Sequence, residues 1–247
     1  DVNLGTIAKS TSGFTGADLE NLLNEAALLA AREGKKAITQ ENIDEATVKV
    51  IMGTEKKSHV VTDHDKWITA YHEAGHAIVS YFLPTQDPVH QISIIPRGMA
   101  AGYTMYIPDT DNKHVSKTKL NEQICSLLGG RAAEKLTQTD VCTGASNDIE
   151  RATEIARAMV TKYGFSDRIG PLALGNSNEE VFLGRDFGSH QNYSEQIAAI
   201  IDEEIKIIVM TQYNKAIELL KNHMTQLGYV AQLLFSNEKI DGDDYRA

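Results

Sequence analysis

Apolar positions recur every three or four residues along most of the chain, which is the spacing of one face of an α-helix. Residues 15–34 show this pattern after Thr15, which can cap a helix and has Asp18 three residues later, and before Gly34, a typical helix end. A second helical pattern follows over residues 39–53. Residues 1–53 are therefore predicted to form a small helical unit, too short to build a large core of its own.

Another helix is predicted from Thr62 to the residues before Pro84, because a proline ends a helical pattern. Residues 89–96 and 101–108 alternate between apolar and polar positions, which predicts two short strands. Further helical patterns follow, and the acidic end is predicted to be a solvated tail. After the strands, the pattern predicts a helical stretch over 116–136 interrupted by two glycines, a helix over 146–164, a loop over 164–191, helices over 193–224 and the tail over 241–247. The whole pattern predicts a mainly α-helical fold with a small β-sheet or hairpin.

Composition excludes several classes of protein. The chain has 24 basic and 34 acidic residues, and its formal charge of −10 argues against a nucleic-acid partner. It has no apolar run long enough to span a membrane. Cys125 and Cys142 are its two cysteines and form no CxxC pattern, so a metal here would have to use histidine and carboxylate ligands. The chain begins at Asp1 without a methionine, and we expect it to be a piece of a longer protein.

The strongest chemical pattern is His-Glu-x-x-His at residues 72–76, inside the predicted long helix. Residues four apart lie on the same helical face, so His72 and His76 can bind one zinc ion. Glu73 borders that face, where it can take a proton from a water whose pKa the zinc lowers. Gly75 costs a helix about 1 kcal/mol relative to alanine, which predicts that another backbone approaches closely there. The pattern predicts a zinc peptidase site that lacks its third ligand.

Spacing alone leaves the third ligand open. A third histidine at the spacing HExxHxxGxxH is absent. Glu134 follows a pair of glycines on a predicted helix, while Asp148 and Glu150 lie in the first turn of another, where the helix dipole stabilises an acid in any case. Between Asp148 and Glu134 the residues themselves do not decide.

Several long motifs carry a family resemblance. The segments HEAGHAIV, ISIIPRGMAAGYT, LLGGRAAEKL, TGASNDIERATEIARAMVTKYGFSDRIGPLALG and YSEQIAAIIDEE occur in this order. Together they resemble the FtsH family of membrane-anchored, ATP-dependent zinc metalloproteases. The resemblance implies that residues 1–53 are the helical lid of an AAA+ ATPase module, 54–64 a linker, and 65–247 a mostly helical zinc peptidase domain.

The resemblance also implies site residues. The family's zinc ligands correspond to His72, His76 and Asp148, and its catalytic glutamate corresponds to Glu73. The resemblance thus favours Asp148 over Glu134 as the third ligand. A strand at residues 98–104 is implied to bind an extended substrate through backbone hydrogen bonds. The implied substrate-binding positions in it are Gly98, Gly102, Tyr103 and Thr104.

In the AAA+ lid, Gly16 and Ala17 are implied to border the adenine of a nucleotide. The chain has no P-loop pattern GxxxxGK[ST], so ATP is expected as a cofactor of the full-length protein only. The resemblance further implies a homo-hexamer, unfolded or membrane protein substrates, and anchoring by an N-terminal segment outside this chain. The implied location is the cytoplasmic face of a bacterial inner membrane.

A second hypothesis is a ring-forming assembly module with a structural zinc and an idle protease. Glu73 argues against it, because a purely structural zinc site has no use for a carboxylate beside its first ligand.

Overall fold

The chain is mainly α-helical with one small antiparallel sheet, as predicted. The computed structural model describes residues 2–55, 61–98, 100–108, 114–174 and 193–246. The helices within them are α1 (Leu4–Ser10), α2 (Gly16–Arg32), α3 (Gln40–Met52), α4 (Asp63–Tyr81), α5 (Lys117–Leu127), α6 (Gly129–Thr137), α7 (Ser146–Thr161), α8 (Glu195–Asn222), α9 (Met224–Asn237) and α10 (Gly242–Arg246). The strands are β1 (Val89–Ser93), β2 (Tyr103–Tyr106) and β3 (Lys239–Asp241).

Local hydrogen bonds fix the predicted helix starts. At α2, the amide of Asp18 donates to the Thr15 hydroxyl (3.3 Å) and the amide of Thr15 donates to the Asp18 carboxylate (2.8 Å), which forms a capping box. At α4, the amide of Asp65 donates to the hydroxyl of Thr62 at 3.1 Å. These bonds satisfy amides that have no partner inside the helix. The predicted starts of both helices are confirmed.

The chain divides into two compact units whose segments alternate along the sequence. One unit comprises residues 1–74, 87–113 and 228–247, and the other comprises 75–86 and 114–227. In the first unit, α2 and α3 pack through a small apolar core. This core consists of Leu22, Ala26, Ile43 and Ala46.

The sheet of the first unit has the order β2-β1-β3. Ile92, which is fully buried, lies opposite Thr104 on one side and Ile240 on the other. The acidic end is folded and not a loose tail, since Asp241 belongs to β3 and residues 242–246 form α10, although most of these residues are exposed as predicted. The buried Ile240 ties β3 to the sheet, and Arg246 in α10 donates to the backbone oxygen of Val89 at 3.1 Å.

The core of the second unit lies among α5, α7 and α8. The helical stretch predicted over residues 116–136 breaks at Leu128, where α5 ends and α6 begins, so the predicted interruption is confirmed. The loop predicted after Gly164 lies partly outside the described residues. The buried core residues are Ile124, Leu128, Ala152, Ala156, Met159, Val160, Ile201 and Ile205.

Candidate metal centre

The two histidines of the His-Glu-x-x-His pattern lie one turn apart on α4. His76 is only 7% exposed, and His72 is half-buried. Because residues four apart share a helical face, both imidazole rings are presented on the same side of α4. This part of the arrangement follows from the spacing in the sequence.

Hydrogen bonding orients the His76 ring. Its Nδ1 lies 2.8 Å from the backbone oxygen of Ser126, and its Nε2 lies 3.5 Å from Oδ2 of Asp148. A carbonyl oxygen only accepts hydrogen bonds, so we assign the ring proton to Nδ1. With the proton on Nδ1, Nε2 presents a lone pair to the carboxylate of Asp148. Nε2 and the carboxylate oxygen are both acceptors, so a proton or a metal cation has to lie between them. Ser126 could not be recognised from the sequence, because its contact uses a backbone oxygen, which every residue has.

Asp148 lies in the first turn of α7, after a short 3₁₀ turn at Thr143–Ala145. His72, His76 and Asp148 each offer one ligand atom, and the three atoms lie within 4.8 Å of one another. In the part of the chain that the structure describes, this is the group of histidine, cysteine and acidic side chains close enough to share an ion. Two imidazoles and one carboxylate fit a catalytic zinc, which takes three protein ligands and keeps a fourth position open.

Glu134, the competing candidate, has other partners. Its carboxylate is 1% exposed and accepts from the amide of Cys142 at 3.0 Å and from Arg131 at 3.3 Å. Arg131 also donates to the backbone oxygen of Cys142 at 2.8 Å. Glu134 therefore anchors the segment that leads into α7, and so supports Asp148 from a distance.

Glu73 is almost completely buried, with 6% of its surface exposed. Its Oε2 accepts a hydrogen bond from the hydroxyl of Thr104 in β2 at 2.8 Å. A methyl group added to Gly102, just before β2, would lie 2.9 Å from the other carboxylate oxygen, Oε1. Thr104 in β2 thus contacts one oxygen of the predicted catalytic residue, and the backbone at Gly102 leaves no room for a side chain beside the other.

The predicted close backbone approach at Gly75 is confirmed. A Cβ built at Gly75 would lie 2.5 Å from the backbone oxygen of Gly129, and a Cβ at Gly129 would lie 2.7 Å from the backbone oxygen of Gly75. Ordinary van der Waals contacts of a Cβ atom are 3.4–4 Å. Both glycines are therefore required by the crossing of α4 with the α5–α6 junction, which brings Ser126 to His76.

The other predicted site residues have different surroundings. Gly98 packs against the end of α3, where an added Cβ would lie 2.8 Å from the backbone oxygen of Met52. Tyr103 is buried and donates its hydroxyl to Oε1 of Gln91 at 2.5 Å. Burial raises the pKa of Tyr103 to about 12, so this hydroxyl stays a neutral donor.

The two residues predicted to border a nucleotide, Gly16 and Ala17, form the exposed first turn of α2. Of the four predicted substrate-binding residues, Gly102 and Thr104 are the two that lie next to Glu73. Among the described residues, no helix is both long enough and apolar enough to cross a membrane.

Two family models match the chain. The model of peptidase family M41 matches residues 59–247, and the model of the AAA+ lid domain matches residues 1–45. The first match covers His72, Glu73, His76 and Asp148, and it includes most of the chain.

Curated relatives match over almost the whole chain. It is 58% identical over 246 residues to the ATP-dependent zinc metalloprotease FtsH of Caldicellulosiruptor bescii, covering 100% of this chain and 40% of that protein. It is 54% identical over 245 residues to ATP-dependent zinc metalloprotease FtsH 1 of Thermoanaerobacter sp., covering 99% of this chain and 40% of that protein. It is 52% identical over 247 residues to the FtsH of Thermotoga maritima, covering 100% of this chain and 40% of that protein. The chain spans about two fifths of the length of these relatives.

Proposed function

Because the chain belongs to peptidase family M41, a family of zinc metalloproteases in which its relatives are named FtsH, we propose that it is the lid and endopeptidase part of an ATP-dependent protease. Residues 1–53 form the AAA+ lid, residues 54–64 the linker, and residues 65–247 the peptidase domain. Its substrates are unfolded or unassembled proteins, including membrane proteins.

In this proposal His72, His76 and Asp148 hold the zinc ion. The observation that carries it is the approach of their three ligand atoms to within 4.8 Å, with Glu73 beside the first histidine. When bound, zinc polarises the carbonyl of the peptide bond and lowers the pKa of a water molecule. The contact of His76 Nδ1 with Ser126 supports the role of the ring as a ligand through Nε2.

Glu73 is the general base. Its carboxylate takes a proton from the attacking water and passes it to the leaving amine, so that one residue acts first as base and then as acid. Burial and the hydrogen bond from Thr104 hold the carboxylate in one place. A fixed geometry of this kind lowers the entropy cost of the reaction.

An extended substrate pairs with β2. In the order β2-β1-β3, β2 is at one end of the described sheet, so one side of it can accept another strand. Backbone pairing gives little sequence preference, which suits an enzyme that degrades unfolded chains. Gly102 and Thr104 would lie next to the peptide, while Tyr103 ties the strand to β1 and Gly98 lies against the end of α3.

The remaining proposals concern the longer protein. We propose a homo-hexamer that is anchored in the bacterial inner membrane by a segment outside this chain, with the peptidase on the cytoplasmic face. ATP is used by the ATPase module of the full-length protein, with Gly16 and Ala17 beside the adenine. An AAA+ lid model matching residues 1–45 supports this arrangement.

The test compares single-atom exchanges at three acids. Glu73→Gln should keep stoichiometric zinc and lose hydrolysis of unfolded casein, because an amide cannot accept the proton. Asp148→Asn should lose zinc, since a neutral amide oxygen is a much weaker ligand. Glu134→Gln, the matched control, should keep it, because the remaining amide oxygen can still accept from the Cys142 amide and from Arg131.

Elemental analysis and a casein assay on the same preparations decide the outcome. Casein hydrolysis by Glu73→Gln would disprove the mechanism. Full zinc in Asp148→Asn together with zinc loss in Glu134→Gln would move the third ligand to Glu134. A full-length protein that binds zinc but hydrolyses no casein in the presence of ATP would favour the assembly module with a structural zinc.

A further inference from the structure

The hydroxyl of Thr104 is aimed at the carboxylate of Glu73. The Thr104 oxygen lies 2.8 Å from Oε2 and 3.3 Å from the backbone oxygen of Glu73. Both of these atoms only accept hydrogen bonds, so the hydroxyl is the donor. A hydroxyl has one hydrogen, and the shorter distance gives it to the carboxylate. A donor–carboxylate bond is stronger than one between neutral groups.

The second oxygen of the same carboxylate lies over a glycine. A Cβ at Gly102 would be 2.9 Å from Oε1 of Glu73, 2.8 Å from the backbone oxygen of Ser93 and 2.8 Å from Cγ2 of Thr69. Any larger residue at this position would push the carboxylate or the strand away. The carboxylate thus accepts a hydrogen bond at one oxygen, and the space beside the other leaves no room for a side chain at residue 102.

The donor belongs to a strand and not to a loop. Thr104 lies opposite Ile92 in β1, the central strand of the sheet, and Ile92 is fully buried. The neighbouring Tyr103 is also buried and hydrogen-bonded to Gln91 in β1. The position of the Thr104 hydroxyl is therefore set by strand pairing, which makes it a rigid support for Glu73.

We propose that Thr104 is a positioning residue, which fixes the rotation of the Glu73 carboxylate so that it meets the attacking water without rearranging. This proposal rests on the role of Glu73 as the base. It gives Thr104 a part in the chemical step, in addition to the substrate contact that the family resemblance implies. It also links the base on α4 to the strand proposed to pair with the substrate.

The effect of removing the hydroxyl should appear in kcat. Thr104→Val keeps the shape and the strand preference of threonine but cannot donate. A base displaced by about 1 Å loses on the order of 100-fold in rate, so we expect kcat to fall by about 10- to 100-fold with KM within about twofold of wild type. Thr104→Ser, which keeps the donor, should stay within about threefold of wild-type kcat.

Thr47→Val is the matched control. Thr47 is a buried threonine in α3 whose hydroxyl donates to the backbone oxygen of Ile43 at 2.8 Å. Thr47→Val also replaces a threonine hydroxyl by a methyl group, but at a residue that does not contact Glu73, so kcat should not change. If Thr104→Val does not fold, Thr104→Ala removes the same donor and replaces it in the comparison.

A crystal structure of the zinc-loaded Thr104→Val chain gives a result independent of activity. We expect the Glu73 carboxylate to be rotated or in more than one conformer, at unchanged zinc content. Wild-type kcat in this variant, a rise in KM at constant kcat, or a Thr104→Ser variant as slow as Thr104→Val would overturn the proposal. Glu73→Gln is assayed beside Thr104→Val. An active Glu73→Gln variant would show that Glu73 is not the base. An inactive Glu73→Gln with a fully active Thr104→Val would reject only the role of Thr104.

Discussion

Gly75→Ala should destabilise the protein, although alanine is the better helix former. Within α4 the exchange by itself would favour the folded state by about 1 kcal/mol. The new Cβ would however lie 2.5 Å from the backbone oxygen of Gly129 and 2.6 Å from Cβ of Ala133. The two backbones would have to separate by roughly 1 Å to restore an ordinary contact.

The size of the effect follows from these two opposing contributions. Overpacking costs about 1–3 kcal/mol, and a cost near the upper end is expected at Gly75 because a backbone oxygen cannot rotate away. The net loss is then about 2 kcal/mol, which for a chain of this size lowers Tm by about 4–8 °C. Separation would also draw Ser126 away from His76, so zinc should bind more weakly.

Thermal unfolding followed by circular dichroism measures the stability, and a competition assay with a chelator measures zinc affinity. Gly228→Ala is the matched control, because Gly228 lies inside α9 and an added Cβ there has nothing within 4 Å. It should gain up to about 1 kcal/mol from helix propensity. A Gly75→Ala protein as stable as wild type would show that the close approach is not as described.

Two further predictions concern side chains away from the metal. Burial raises the pKa of the Cys125 thiol to about 12, so it stays protonated from neutral pH to pH 10. Below pH 9, iodoacetamide followed by mass spectrometry should label the partly exposed Cys142 and leave Cys125 unlabelled, and equal labelling would contradict this. Arg97 is 3% exposed and donates to Glu45 at 2.7 Å and to Glu55 at 2.5 Å. Arg97→Met should cost about 1–3 kcal/mol in urea unfolding, less than a fully buried pair because both acids remain partly exposed. The cost should shrink when both acids are changed to glutamine, and an unchanged cost would show that the ion pairs are unimportant.

Features set by neighbouring residues could be predicted from the sequence. The starts of α2 and α4 depend on hydrogen bonds that Thr15 and Thr62 make within a few residues. The placement of His72 and His76 on one face follows from helical periodicity alone. Gly75 in a helical pattern likewise indicated a close approach, although the partner Gly129 was not identifiable.

Features that join distant segments could not be predicted in the same way. The end of the chain reads as a polar tail, yet Asp241 accepts a hydrogen bond from Gln91 across 150 residues of sequence. Thr104 shows no sign of its bond to Glu73 in the local pattern, since strand pairing places it there. Such contacts depend on which surfaces meet, and periodicity describes only one surface at a time.

The metal centre also combines features set by neighbouring residues with features that join distant segments. By itself the sequence determined two histidines and a glutamate on neighbouring faces of one helix, because their spacing fixes their directions. It left Asp148 and Glu134 open, because both are acids on helices far along the chain, and only a family resemblance favoured one of them. The tertiary structure gives them different neighbours: Glu134 is buried against Arg131 and the amide of Cys142, and Asp148 is brought to 3.5 Å from His76. The physical reason is that an acid becomes a candidate ligand through its neighbours in space, and folding supplies those neighbours.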